Sequence, residues 1–145
     1  MLVNRWFILF TGFKELKEGS ISMLAKIVAV GVTGLAGISA QANQQLGETL
    51  ARCSGASLSA SALMVMAGKT EVANYYAKIG KEFIELSKRF IPANQADRIG
   101  AERLREIKQG IDQNDERIMS GVAKQISDCA GLISNASSST NQSVR

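Results

Sequence analysis

Histidine is absent from the 145 residues. That removes Ser-His-Asp and Cys-His nucleophile systems, which need imidazole as the base. It also removes His-ligated zinc and haem held through a proximal His. Two cysteines, Cys53 and Cys129, are too few for a zinc or iron–sulfur site within one chain. Calcium loops, phosphate-binding loops and dinucleotide glycine motifs do not occur. No catalytic residues, no metal ligands and no cofactor are therefore assigned, and the chain reads as non-enzymatic. Proline occurs once, at Pro92. Strand signals are missing as well: there are no alternating Val/Ile/Thr runs and no Asn-Gly or Asp-Gly hairpin turn. Helical spacing takes their place, and the expected class is all-α.

What is present begins with an export signal. Met23-Leu24-Ala25-Lys26 is a short basic start, and Ile27 to Ile38 is a small-apolar run. Ala40-Gln41-Ala42 gives the small-x-small pattern read by signal peptidase, followed by polar Asn43-Gln44-Gln45. This three-part anatomy predicts a signal peptide over 23–42, cut between Ala42 and Asn43, and a periplasmic or secreted product. Residues 1–22 precede it and read as a mis-annotated leader. Lys17-Glu18-Gly19 is what a purine-rich ribosome-binding site spells when read in frame, so translation is expected to start at Met23. The alternative is a retained anchor over 24–40, near the short limit of about 17–25 residues for a spanning helix. The chain would then be a membrane-anchored structural component.

Cleavage leaves Asn43 to Arg145, 103 residues with 13 basic and 11 acidic side chains, net +2 against +4 for the whole chain. That length suits one domain with a modest core. The near balance of charge gives no reason to expect nucleic acid as a partner.

Four helical segments are predicted. The first, Asn43 to Ala67, carries Leu46, Leu50, Cys53, Ala56 or Ser57, Ala60, Met64 and Ala67 at steps of three and four, and Gly68-Lys69 stops it. The second opens on Thr70 as N-cap and carries Val72, Tyr76, Ile79, Phe83, Leu86 and Phe90 until Pro92 ends it. The third has Asn94 as N-cap with Asp97 as its capping-box partner, and a stripe of Ile99 or Gly100, Leu104, Ile107 and Ile111. The fourth carries Ile118, Val122, Ile126, Cys129 and Ile133. Gly110 to Asp115 lies between the last two, as a turn or as the polar middle of one long helix. The Ser/Asn-rich stretch 134–145 has almost nothing to bury and reads as a disordered tail after a 43–133 domain.

In an exported chain, Cys53 and Cys129 are expected to form a disulfide. The bond selects a topology. Were the third and fourth segments one helix parallel to the first, Cys129 would lie roughly 50 Å along it, while Cys53 lies about 15 Å along its own. A disulfide needs Cα atoms within about 7 Å. A turn near Gly110 to Asp115 brings the two cysteines level, which predicts an up-down-up-down four-helix bundle stapled between its first and last helices. Closing a loop of some 76 residues contributes about 4 kcal/mol in the chain-entropy account.

The remaining candidates concern recognition. Tyr75 sits beside the buried stripe, and Lys88, Arg89, Arg98, Arg103 and Arg105 cluster around Pro92, so these six are candidate partner-binding residues. Glu102 and Glu106 interleave with the arginines at helical spacing, so a solvated, ion-paired face is the competing reading. Ser54 to Ala62 reads S-G-A-S-L-S-A-S-A. It is either a groove for a partner helix or a surface that lets a helix of the same domain come close. The pairs Glu82/Glu85 and Glu102/Glu106 resemble ordinary surface more than catalytic carboxylates. The function expected is that of a protein-binding factor: an inhibitor, an immunity or exclusion protein, or an envelope accessory. Its partner is a protein, and a membrane enters only through an uncleaved signal.

Overall fold

A computed structural model describes the backbone of residues 40–142 and the side chains of residues 40–132. The expected leader 1–22 and almost all of the signal segment lie outside the described residues. Those described form four helices and no strand: α1 (Ala40–Met66), α2 (Thr70–Ser87), α3 (Ala93–Asp112) and α4 (Glu116–Gln142). None of these helices is long and apolar enough to cross a membrane. Both cysteines are disulfide-bonded, so a Cys53–Cys129 bond links the first and fourth helices. The chain divides into two compact units with the boundary inside α4. One is Ile38–Ile126, and the described part of the other is the remainder of α4.

Within the larger unit α1 is central, packing along α2 and along α3, which share little with each other. The five residues from Cys53 to Ser57 are all buried. At about 100° per residue they cover the whole circumference of the helix. Small side chains make this enclosure feasible. A Cβ on Gly55 would stand 2.5 Å from the Gly100 carbonyl oxygen, so α1 and α3 touch backbone to backbone there. A Cβ on Gly80 of α2 would stand 2.9 Å from Leu58 of α1. The small-residue stretch thus lies against neighbours of the same domain.

Both sharp turns of the unit follow one motif. The Lys69 amide donates to the Met64 carbonyl at 2.8 Å and the Gly68 amide to Val65 at 2.9 Å, with Gly68 left-handed at φ 71°. The Asp115 amide donates to Gly110 at 2.8 Å and the Asn114 amide to Ile111 at 3.0 Å, with Asn114 at φ 57°. These are Schellman caps, which satisfy carbonyls that a helix end leaves orphaned. The second cap breaks the chain between Asp112 and Glu116, so the third and fourth segments are two helices.

Three local expectations are corrected. Lys69, not Thr70, precedes α2, and no side chain caps that helix. The Lys69 amide is committed to the Schellman bond, so the same residue ends α1 and begins α2, and Thr70 is drawn inside. Pro92, not Asn94, precedes α3: its φ of −53° and ψ of 139° leave its carbonyl to accept from Gln95 and Ala96, both at 3.0 Å. Asp97 pairs with Lys88 at 3.2 Å in place of a capping box. Finally, α4 continues to Gln142, so 134–142 is helical where composition suggested a disordered tail. Once a helix exists, each added residue gains a bond without a new nucleation cost, and no proline interrupts this stretch.

Candidate functional site

The apolar stripe of α2 keeps its expected centre, Tyr76, Ile79 and Phe83, and shifts by one position at its ends. Ala73, Tyr76, Ile79, Gly80, Phe83 and Ser87 are buried, whereas Val72 is 42 % exposed. Tyr75 is half-buried at the edge of that stripe, as its place beside Tyr76 suggests, with its ring edge-on to Tyr76 at 5.7 Å and 68°. Burial, and then the nearby Glu82 carboxylate, raise the Tyr75 hydroxyl above its ordinary value. Tyr76 is pushed up to about 12, mainly by burial and then by Tyr75. Burial also raises Glu82, against the pull of Lys78, and its Oε2 has no hydrogen-bond partner among the described residues.

The basic candidates occupy a different place. Tyr75 lies twelve residues before the end of α2, about 18 Å along it, whereas Lys88 follows that end. Lys88 Nζ bridges Glu85 at 3.0 Å and Asp97 at 3.2 Å, tying the end of α2 to the start of α3. The Glu85 bond, then the Asp97 bond, raise its pKa. Arg98 pairs with Glu102 at 2.9 Å. Arg103, only 17 % exposed, donates from Nε to Gln125 of α4 at 2.9 Å and pairs with Glu106 at 3.0 Å. Arg52 of α1 reaches the same Glu106 oxygen at 3.4 Å. Arg89 and Arg105 are exposed, and Arg89 also makes an interaction of its own. Lys88, Arg98 and Arg103 are therefore engaged with acidic side chains, and Arg105 presents its charge outward. The same bonds engage Glu85, Glu102 and Glu106.

Sequence periodicity missed two features. Asp115 caps α4: its Oδ1 accepts from the Arg117 amide at 3.0 Å, and the Arg117 side chain and then that amide hold its carboxyl below the ordinary value. The D-x-R pattern just before an apolar run was the available signal. At the α1–α2 corner Val65 is 61 % and Met66 69 % exposed, beside Val72, so this corner is apolar and outward-facing. Among the described residues, no group of three or more His, Cys, Asp or Glu could hold a metal. At the proposed cleavage position Ala40 and Gln41 are exposed, while Ala42 and Asn43 are half-buried in the first turn of α1.

No protein family matches the chain, and comparison with the curated proteins and with the solved structures finds no match.

Proposed function

We propose that this chain is exported, is cut between Ala42 and Asn43, and works outside the cytoplasm as a non-enzymatic protein-binding factor: an inhibitor, an immunity or exclusion protein, or an envelope accessory. The observation that carries the reading is the disulfide. Cys53 and Cys129 are bonded and buried at 0 % and 2 % exposure, and such bonds persist in oxidising compartments. The basic start, apolar run and Ala40-Gln41-Ala42 support the route. In this proposal the helices alternate up-down-up-down, with α1 and α4 antiparallel. The Schellman turn at Asn114 and the bond between first and last helices favour that arrangement.

Recognition is assigned to the half-buried Tyr75 and the exposed Arg105, since Lys88, Arg98 and Arg103 are held by acidic neighbours. The lack of histidine supports a binding role over catalysis. The test is affinity isolation of the tagged, envelope-derived protein, comparing wild type with Tyr75→Ala and Arg105→Glu. The reading expects one stoichiometric partner from the wild type and weaker retention by both variants with unchanged helix content. A lone monomer under several extraction conditions contradicts it.

A further inference from the structure

We infer that folding of this chain is conditional on oxidation of Cys53 and Cys129, so that the disulfide acts as a one-way latch. The ground is the make-up of the interior. Over half of the buried positions among the described residues are Ala, Ser or Gly, including Ala51, Ala56, Ala60, Ser54, Ser57 and Ser87. Among the described residues ten buried side chains are larger than cysteine, with Leu50, Tyr76, Phe83, Ile107, Val122 and Ile126 the most enclosed, and they are outnumbered by the small ones. Stabilisation by burial scales with the apolar area removed from water, and a methyl or hydroxymethyl group removes little. Burying a hydroxyl adds a cost unless it is bonded, and the Ser57 hydroxyl has no partner among the described residues. Ordering glycine costs more backbone entropy than ordering any other residue. Three terms thus lean against this domain relative to one of the same length with a leucine-rich interior. A disulfide that closes a loop of some 76 residues offsets these terms by constraining the unfolded chain.

The step balances as thiol–disulfide exchange: Cys53 and Cys129 thiols plus one external disulfide give the internal disulfide and two external thiols. The oxidant is thus a disulfide, such as glutathione disulfide or a disulfide-carrying protein. Once formed, the bond is shielded by the fold, because neither cysteine exceeds 2 % exposure. Reductant therefore reaches it only through opening of the domain. In a reducing compartment the chain stays unfolded, which keeps it fit for threading through an export channel. That consequence rests on the export reading; the coupling of oxidation to folding does not.

The experiment is refolding of the full chain from urea in buffers of graded glutathione and glutathione disulfide. Helix content is followed by circular dichroism, and bond content by thiol trapping and mass. A Cys53→Ala, Cys129→Ala double variant runs alongside. The inference expects helix and disulfide to rise together across the series. It expects the folded-to-unfolded ratio of the reduced chain to fall by about 30- to 5,000-fold, and no cooperative melt of the double variant at about 37 °C. A reduced chain or double variant that melts cooperatively within a few degrees of the oxidised protein overturns it. Coupled folding together with a native protein that begins before Asn43 leaves the latch standing and removes the cleavage reading. Cleavage at Asn43 with an independently folded reduced chain does the reverse.

Discussion

The Ser87 hydroxyl donates a 2.8 Å hydrogen bond to the carbonyl of Gly47, joining the end of α2 to the beginning of α1 inside the protein. Ser87 is fully buried, so nothing else in reach replaces that bond with water. Ser87→Ala should lower stability by about 1 kcal/mol, read as a shift in urea midpoint at constant slope. An unchanged midpoint would show that the two helix ends hold each other by packing alone.

Glycines at two sites should respond in opposite directions. Alanine at Gly55 gains helix propensity of about 0.5–1 kcal/mol, but its Cβ would meet the Gly100 carbonyl at 2.5 Å and Arg103 Cβ at 2.9 Å. Backbone cannot yield cheaply, so a net loss of about 1–3 kcal/mol is expected. A Cβ on Gly121 meets nothing within 4 Å. Gly121→Ala should therefore gain about 0.5–1 kcal/mol. Thermal melts of the two variants check both signs.

These glycines also mark the limit of the sequence reading. The four helices and the stop at Gly68 were legible because apolar residues recur at three and four and because glycine punctuates, whereas α2 ends at Ser87, earlier than Pro92 suggested. The cysteine distance argument located the turn at Gly110 to Asp115. The centre of the α2 face, Tyr76, Ile79 and Phe83, was legible, but its ends were not. A hydrophobicity stripe weights Val72 and Leu86, whereas the face that packs is completed by Ala73, Gly80 and Ser87, which carry little hydrophobicity and admit close approach. The caps were missed for a related reason: Thr70 and Asn94 are good N-cap residues in isolation, but the amide of Lys69 and the carbonyl of Pro92 were already placed by the preceding turns. Of the candidate surface, composition gave the residues and their ion pairing. It could not show that Lys88, Arg98 and Arg103 are held by acidic neighbours while Arg105 is exposed.

Tyr76 sets the alkaline limit. Its folded value of about 12 lies above the ordinary 10.0. Between these values the native state holds a proton that the unfolded chain has released, so stability falls as pH rises from about 10 to 12 and is fully present below. Tyr76→Phe should flatten that limb in urea midpoints measured across the range. A limb of unchanged steepness would place the alkaline sensitivity elsewhere.

Arg103 and Arg105 of α3 should separate structure from recognition. Arg103 ties α3 to Gln125 and Glu106, and Arg103→Ala should cost about 1–2 kcal/mol. Arg105 is exposed, and Arg105→Ala should stay within about 0.5 kcal/mol of wild type. Equal losses would mean that Arg105 is part of the scaffold and unavailable to a partner.

The central claim is that this is an exported, processed and oxidised protein, and the N-terminal sequence and intact mass of the envelope-derived chain test it most directly. The account predicts a single species that starts at Asn43, with a mass two protons below that of the reduced chain and no thiol open to alkylation. A chain that starts at Met1 or Met23 and carries two free thiols would contradict it.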